Sequence, residues 1–364
     1  MLKTTRTSSY QLRKKAVNQM EEMNEDVPLP PAGKTIGIVY NCKSGAAHDV
    51  PDQEAEYDSI DTVHAIRDVF TAAGMQTVLL ECDETLPRNL ADHPIDIAFN
   101  IAEGLGGRGR EAEAPALFNL LNVPYTGSDE TALCIALDKA LCKKLLSAFH
   151  VRSPRSRVYT SDKNIRLGGL RLPVIVKPNA EGSSKGIPDA CVARTEAEFK
   201  ALVAQELKLY GGSVLAEEYI HGREFTVGLL GNGDTLRVLP PMEIAFRKNT
   251  NGDFRVYSFG VKQNYKQFVD YICPAKLEPA AEKTIVRTAR RVYEALGCRD
   301  FARVDFRLAE DGRLYFIEIN PLPGLAPGYS DYPMLAEFSG VSYQDLVLSV
   351  LRAGMERYGM ETVE

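Results

Sequence analysis

FARVDFRLAEDGRLYFIEINPLPG, residues 301–324, is the stretch of sequence that most constrains the fold. Apolar and polar residues alternate on both sides of an Asp-Gly pair, which is typical of two strands joined by a short turn. Residues two apart in a strand share a face, so Arg303 and Asp305 should point the same way. Glu318 and Asn320 should do so on the second strand. If the strands pair, one face carries three oxygen-bearing side chains and a guanidinium.

This face has the composition of a magnesium site. Carboxylate and amide oxygens on rigid neighbouring strands suit Mg²⁺, which often shares its ligands with phosphate. The arginine would favour negative charge on a phosphate or carboxylate oxygen. The alternative is a solvated strand face. The apolar neighbours Val304 and Phe316, and the stiff turn at residues 321–324, favour the functional interpretation.

Length and composition indicate a multidomain globular protein without an obvious nucleic-acid or membrane role. The 364 residues suffice for two or three domains, and 45% are hydrophobic and 25% charged. The net charge of −6 disfavours nucleic acid and anionic membranes as partners. The N-terminus has no apolar segment typical of a secretory signal. Seven scattered cysteines without a C-x-x-C pair make a zinc site improbable and predict a cytoplasmic location.

The first part of the chain predicts an open α/β domain. Residues 1–33 form an extension, and residues 34–40 read as a buried parallel strand. A helix is predicted over residues 58–73, with further strands over residues 77–80 and 95–100. Ligands of such domains meet the carboxyl ends of the strands. A glycine-rich segment, residues 100–111, lies at such an end, although a glycine-rich loop alone is a weak signal.

The middle of the chain carries a second loop suited to phosphate. A helix is predicted over residues 131–148, and it contains Lys139. A strand then delivers Lys177, followed by a glycine loop with Ser183 and Ser184. Loop amides can wrap phosphate oxygens while the lysine supplies positive charge, although the Walker spacing is absent. Strands are predicted over residues 214–220 and 222–228, and helices over residues 278–296 and 343–355.

These stretches resemble, in the same order, the motifs of the ATP-grasp ligases, most closely the D-alanine–D-alanine ligase family. The resemblance covers roughly residues 34–355. It implies an α/β fold with α+β elements, namely an ATP-grasp fold behind an N-terminal Rossmann-like domain. The expected units are the extension 1–33, the pre-ATP-grasp domain 34–130, the central domain 131–225 and the C-terminal catalytic domain 226–358.

The resemblance also implies roles for individual residues. The expected ATP contacts are Lys139, Lys177, Ser183, Ser184, Glu217, Glu218, Ile220 and Glu224. The expected metal ligands are Asp305, Glu318 and Asn320, for two Mg²⁺ ions, with Mn²⁺ as an alternative. The expected catalytic groups are Arg303, Lys262 and the backbone amide of Gly324, and Ser330 would receive the second substrate's carboxylate.

The family's reaction forms an amide in two steps. A carboxylate attacks the γ-phosphate of ATP to give an acyl phosphate, and an amine then displaces phosphate. The resemblance therefore implies small amino-acid-type substrates, and it also suggests a homodimer. Arg303 and the Gly324 amide could meet the oxyanion of the second step.

Three departures from the family pattern fall on the amino-acid side of the site. The loop of residues 41–48 lacks the family's early glutamate, and Glu56 lies too late to match it. Gln263 replaces a tyrosine, and Glu103 replaces a histidine. These changes predict the same reaction with a different substrate pair. Glu103, Arg108 and Arg110 are then candidate substrate contacts.

Two alternatives remain open. One is a genuine D-alanine–D-alanine ligase of cell-wall synthesis. The other is a nucleotide-binding protein without catalysis, which the presence of all the metal ligands and phosphate lysines disfavours.

Overall fold

The computed structural model describes residues 33–45, 52–182, 185–186, 191–247 and 254–360. The predicted extension, apart from Gly33, lies outside these residues. Ser183 and Ser184, predicted to contact ATP, also lie outside them. Nothing in the described part is a helix both long and apolar enough to cross a bilayer.

The first domain contains the predicted parallel sheet. Its elements are β1 (Thr35–Tyr40), α1 (Ile60–Ala72), β2 (Gln76–Glu81), α2 (Leu86–Asp92), β3 (Ile97–Ile101) and α3 (Glu113–Leu121). The parallel strands lie in the order β2-β1-β3, with Val39 opposite both Leu80 and Asn100. The apolar runs form the buried strands because helices cover the sheet. The prediction of an open α/β unit is confirmed.

The single helix predicted over residues 131–148 is wrong. The structure has two helices there, α4 (Glu130–Leu137) and α5 (Lys139–Ala148). They meet at Asp138, whose backbone is extended and whose carboxylate accepts a hydrogen bond from the Leu141 N–H at 3.0 Å. An aspartate cap satisfies a free amide at a helix start, and this favours a break over continuation. The break places Lys139 at the first position of α5.

The central domain is an antiparallel sheet covered by one helix. It comprises β4 (Ser156–Tyr159), β5 (Val174–Pro178), β6 (Val192–Ala193), α6 (Glu196–Tyr210) and β7 (Val214–Glu218), with strand order β4-β7-β5-β6. Helix α6 packs Phe199 and Val203 against this sheet. Strands β5 and β7 are adjacent, so Lys177 and Glu217 are brought onto neighbouring strands.

Helix α6 begins with a reciprocal cap that can be tested. The Thr195 hydroxyl accepts from the Glu198 N–H at 3.2 Å, and the Glu198 carboxylate accepts from the Thr195 N–H. We expect Thr195→Ala to lower the free energy of unfolding by about 1 kcal/mol, because one helix-end amide loses its partner. Urea denaturation measures this, with Thr284→Ala on the exposed side of a C-terminal helix as the control. A loss no greater than the control's would contradict the expectation.

The C-terminal domain holds the hairpin that the sequence predicted. Its elements are β8 (Gly222–Leu230), β9 (Arg237–Val238), β10 (Met242–Phe246), α7 (Phe259–Gln263), α8 (Tyr265–Phe268), β11 (Val269–Ile272), α9 (Pro279–Ala295), β12 (Phe301–Ala309), β13 (Leu314–Asn320), α10 (Asp331–Phe338) and α11 (Tyr343–Arg357). The antiparallel order is β11-β10-β8-β12-β13, and β9 pairs with β8. Arg303 lies opposite Asn320, and Asp305 opposite Glu318.

The first and last parts of the chain share one apolar core. Val63 and Phe70 of α1 belong to the same buried cluster as Leu346 and Leu351 of α11. Nearby, the fully buried Asp300 accepts from the Gly127 N–H at 2.7 Å and from Asn232 Nδ2 at 2.7 Å. Arg357 Nη2 donates to the same carboxylate at 2.9 Å. The first part of the chain therefore packs directly against the last part.

Candidate active site

The polar face of the β12–β13 hairpin is preorganised by hydrogen bonds. Arg303 donates to both carboxylate oxygens of Asp305, from Nε at 3.1 Å and from Nη2 at 2.9 Å. The Thr226 hydroxyl on β8 donates to Asp305 at 2.6 Å. Asn320 Nδ2 lies 3.2 Å from the same carboxylate. Arg303, Asp305 and Asn320 therefore form one connected cluster, as the alternation of the two strands predicted.

Glu318 completes this face as a strongly acidic group. Lys139 Nζ lies 3.5 Å from its carboxylate. Burial alone would raise the pKa of Glu318, but Lys139, Lys177 and Arg303 outweigh it and lower the pKa to about 2. In the described part of the chain, no three His, Cys, Asp or Glu side chains form a metal cluster. The donor set of two carboxylates and an amide nevertheless fits Mg²⁺ that is also bound to phosphate.

Lys143, Glu217 and Lys177 form a buried lysine–glutamate–lysine triad. Glu217 is 1% exposed and lies between Lys143 and Lys177, with Lys177 Nζ at 3.0 Å. Burial would raise the pKa of Glu217, but the two ammonium groups outweigh it and lower the pKa. Sequence reasoning assigned Glu217 to adenine and missed Lys143. The only signal for Lys143 was its position one helical turn after Lys139.

Five of the eight predicted ATP contacts line one cavity. Lys177, Glu217, Glu218, Ile220 and Glu224 are all in its wall. Glu224 pairs with Arg307 at 2.7 Å, and Arg307 Nη1 donates to the Ile220 carbonyl at 2.8 Å. Burial raises the pKa of Glu224 despite this arginine. Arg307 was missed, although it lies two residues after Asp305 on the same strand.

A second cavity adjoins the first and contains the predicted substrate and catalytic groups. Its wall includes Lys139, Lys262, Gly324, Ser330 and Glu103. The two cavities share four lining residues, namely Lys262, Arg303, Glu318 and Asp331. A Cβ on residue 324 would lie 2.9 Å from Ser330 Oγ, so glycine is needed for this close approach. Burial lowers the pKa of Lys262.

Asp331 was not predicted and forms a bridge between the two cavities. It is buried at the start of α10 and accepts hydrogen bonds from Tyr257 at 3.1 Å and Tyr271 at 3.0 Å. Arg303 Nη1 lies 3.7 Å from the same carboxylate. The family resemblance pointed to the neighbouring Ser330, and nothing in the sequence singled out Asp331.

The two arginines of the first glycine-rich segment lie in different places. Arg108 is exposed, pairs with Asp138 at 3.1 Å, and is not in the wall of either cavity. Arg110 is buried and pairs with Glu56, and its Nη1 donates to the Ala180 carbonyl at 2.9 Å. Arg110 therefore ties the first domain to the phosphate loop.

Asp52 forms a second contact between the first domain and the phosphate-loop region, and the buried Glu206 lies on a helix beside it. Asp52 accepts from the Gly186 N–H at 2.7 Å and from the Tyr210 hydroxyl at 2.9 Å. Glu206, on the same helix as Tyr210, is 2% exposed, and its Oε2 has no hydrogen bond from the described residues. Burial, followed by the charge of Asp52, raises the pKa of Glu206 to about 7.

The raised pKa of Glu206 makes stability depend on pH. Between pH 4.5 and 7 the folded protein holds this proton and the unfolded chain has released it, so stability falls as pH rises. We expect Glu206→Gln to raise the free energy of unfolding at pH 8 by roughly 1 kcal/mol and to change it little at pH 4.5. Urea titrations at both pH values test this, with Glu84→Gln as the exposed control. Equal effects at both pH values would contradict it.

Comparison with known proteins identifies the family. The family model described as D-ala D-ala ligase C-terminus matches residues 155–352, more than half of the chain. A D-alanine–D-alanine ligase of Carboxydothermus hydrogenoformans is 31% identical over 307 residues, which are 82% of this chain and 94% of that protein. The chain belongs to the D-alanine–D-alanine ligase family. The D-alanine–D-alanine ligase of Bordetella petrii is 33% identical over 339 residues, covering 90% of this chain and 96% of that protein.

Solved structures agree on the fold of the family. The D-alanine–D-alanine ligase of Bacillus anthracis complexed with ATP superposes with a TM-score of 0.70, at 20% identity, covering 90% of this chain and 99% of that one. The VanG D-Ala:D-Ser ligase of Enterococcus faecalis gives 0.68 at 20% identity, covering 88% and 99%. The predicted ATP-grasp fold and family resemblance are confirmed. As a member of this family, the chain is an ATP-grasp ligase that forms a carbon–nitrogen amide bond.

Proposed function

We propose that this ligase uses ATP and Mg²⁺ to join a small amino-acid-type carboxylate to an amine other than a second D-alanine. The observation that carries the proposal is the hairpin face facing two adjoining cavities, which share Arg303, Glu318, Lys262 and Asp331. One cavity has most of the predicted nucleotide contacts in its wall, and the other has Lys139 and the altered position Glu103. A carboxylate in the second cavity can thus reach a phosphate in the first.

The lysines of the site would make the first step feasible. A carboxylate is a poor nucleophile toward a polyanionic triphosphate, because the two repel each other. Lys139, Lys177 and Lys262 would offset this repulsion. Asp305, Glu318 and Asn320 would hold Mg²⁺, which when bound neutralises charge on the phosphate oxygens. The enclosing walls would exclude water from the acyl phosphate.

The second step calls for donors to an oxyanion. The amine adds to the acyl carbon, and the tetrahedral species carries negative charge on its oxygen. Arg303 is held at the boundary between the two cavities, and Gly324 closely approaches Ser330. The Arg303 guanidinium and the Gly324 N–H are the donors we assign to this oxygen. Ser330 would receive the carboxylate of the amine substrate.

The altered residues support a changed substrate pair. Glu103 lines the substrate cavity where the family resemblance expects histidine, and Gln263 stands at the end of α7 in place of the expected tyrosine. These positions lie in or beside the amino-acid side of the site, while the ATP side retains the family's residue types. A genuine D-alanine–D-alanine ligase is the second candidate, favoured by the names of the curated relatives.

A trapping assay separates the candidates. The full chain is incubated with ATP, Mg²⁺, hydroxylamine and a panel of amino acids in both enantiomers. Hydroxylamine intercepts the acyl phosphate as a hydroxamate, which identifies the carboxylate substrate alone. Pairs are then tested for ADP release and a new amide by mass spectrometry. Product from D-alanine alone at the highest rate would favour the second candidate. ATP binding without any substrate-dependent turnover would contradict both.

We also propose a cytoplasmic location and a homodimer. The seven cysteines are free in the structure, which accords with a reducing compartment. The dimer is supported only by the family resemblance. Light scattering of the purified chain measures the oligomeric state, and a monomer mass across micromolar concentrations would contradict that part.

A further inference from the structure

An acidic group in the substrate cavity has no role in the proposed chemistry. We define it as Glu56, Glu103 and Glu111, all of which line the cavity wall. It is distinct from the basic group of Lys139, Lys262 and Arg303 in the same wall. A cavity with both groups favours a ligand that carries opposite charges on different atoms.

Two members of the acidic group have no direct ion-pair partner among the described residues, although Arg110 and Lys139 are near enough to Glu111 to oppose the rise in its pKa. Glu111 is 7% exposed, and its carboxylate has no hydrogen bond or ion pair from the residues the structure describes. The same holds for Glu103 within the described ranges. Glu56, by contrast, pairs with Arg110 and accepts from the Gly182 N–H. Glu56 is therefore satisfied, and Glu103 and Glu111 are not.

The nearest arginine offsets only part of the negative charge of Glu103 and Glu111. Arg110 is committed to Glu56, lies 3.3 Å from Glu181, and donates to the carbonyls of Ala180 and Gly107. Burial raises the pKa of Glu103, and Glu111 and Glu56 raise it further. Burial, followed by Glu56, raises the pKa of Glu111 to about 7. A positively charged ligand group would relieve both effects.

Hydrogen bonds fix the backbone next to Glu103. The Glu103 carboxylate therefore cannot leave the cavity wall through movement of the loop alone. The Gly104 N–H donates to Asn41 Oδ1 at 2.8 Å, and the Tyr57 hydroxyl donates to the Gly104 carbonyl at 3.2 Å. A Cβ on residue 104 would also lie 2.0 Å from the Arg110 carbonyl oxygen. These contacts hold Glu103 beside the segment that carries Glu111.

We infer that the carboxylate substrate is a diamino acid, whose α-ammonium and second ammonium group neutralise Glu103 and Glu111. An ordinary amino acid brings one ammonium group and would leave one of the two carboxyl groups either protonated or without a direct ion-pair partner. A second cationic group supplies the missing charge. This inference rests on the proposed function, because it names the substrate of that same site. Its chemical class is a carboxylic acid with two primary amines, such as 2,4-diaminobutyrate or ornithine.

Matched substrate pairs test the inference. Hydroxamate formation is measured for 2,3-diaminopropionate against 2-aminobutyrate, 2,4-diaminobutyrate against norvaline, and ornithine against norleucine, in both enantiomers. Each pair differs by exchange of a terminal methyl for an ammonium group. We expect kcat/KM for one diamino acid to exceed that for its isostere by about 100-fold, as for a buried charge pair. Equal or better use of the neutral isosteres would overturn the inference while leaving ligase activity established.

Two variants test whether Glu103 and Glu111 cause the preference for the diamino acid. Glu103→Gln and Glu111→Gln keep the side-chain shape, and each should reduce the preference for the diamino acid to within about 10-fold of its isostere. The control Glu84→Gln, on an exposed part of the same domain, should retain the full preference. Thermal melts show that the variants are folded. A preference unchanged in both cavity variants would assign it to other residues and overturn the inference.

A binding measurement tests the inference if the proposed ligase function fails. If no carboxylate yields hydroxamate or ADP, calorimetric titration of the same six compounds into the ATP-loaded chain replaces the rate measurement. Binding of a diamino acid that weakens about 10-fold or more in Glu103→Gln would support the inference without ligase activity. Absence of binding by every diamino acid would overturn it.

Discussion

We expect Glu318→Gln to lower kcat/KM for amide formation by about 10²–10³-fold, the range found for loss of one preorganised electrostatic group. Glu318 lies in the walls of both cavities, and four cationic groups outweigh the effect of burial and lower its pKa to about 2. It is therefore anionic at any working pH. Glutamine keeps the shape but loses the charge that favours a divalent cation. ADP release at several Mg²⁺ concentrations measures the effect, and the Mg²⁺ requirement should rise.

The control for this variant lies on the same hairpin. Glu310 is exposed in the turn, at the end of the hairpin opposite to the polar face. Glu310→Gln should leave kcat/KM within about twofold of the parent, because exposed charges are screened by water. A Glu318→Gln enzyme with near-parental activity and an unchanged Mg²⁺ dependence would remove Glu318 from the metal site. Thermal melts of both variants separate this result from misfolding.

The second large effect concerns stability. We expect Glu217→Gln to lower the free energy of unfolding by about 3 kcal/mol, since it leaves Lys143 and Lys177 buried beside each other without their shared anion. The buried ammonium groups then repel, and burial already lowers the pKa of Lys143 to about 8. Urea denaturation at pH 7 measures the loss.

A double variant distinguishes charge from packing. In Glu217→Gln with Lys143→Met one buried ammonium group is gone, so part of the lost stability should return. The matched control is Glu196→Gln, which breaks the exposed pair with Lys200 and should cost less than about 1 kcal/mol. If Glu217→Gln cost no more than this surface variant, the triad would not be a stabilising unit.

The hairpin could be predicted because the residue pattern that determines it lies within one short stretch of sequence. Alternation around one turn places Arg303, Asp305, Glu318 and Asn320 on one face, and the structure pairs them as expected. The parallel sheet was likewise readable from apolar runs. Both depend on side-chain periodicity, which the sequence displays directly.

The parts that were missed depend on tertiary burial. Lys143 looked like any lysine of an amphipathic helix, and only the packing of α5 against β7 brings it to Glu217. Glu111 is the last residue of the glycine-rich segment in the sequence, and only the folded structure shows that it is buried. The break at Asp138 was hidden because helix formers surround it, while the capping bond of its own side chain decides the outcome.

The apolar core shared by α1 and α11 joins the two ends of the described chain into one cooperative structure. Removing α11 would leave Val63 and Phe70 facing water, although almost 300 residues separate them from the deleted segment. The ligase should therefore melt in a single calorimetric transition, and its first domain expressed alone should be prone to aggregation. Two well-separated transitions would show that the halves fold independently.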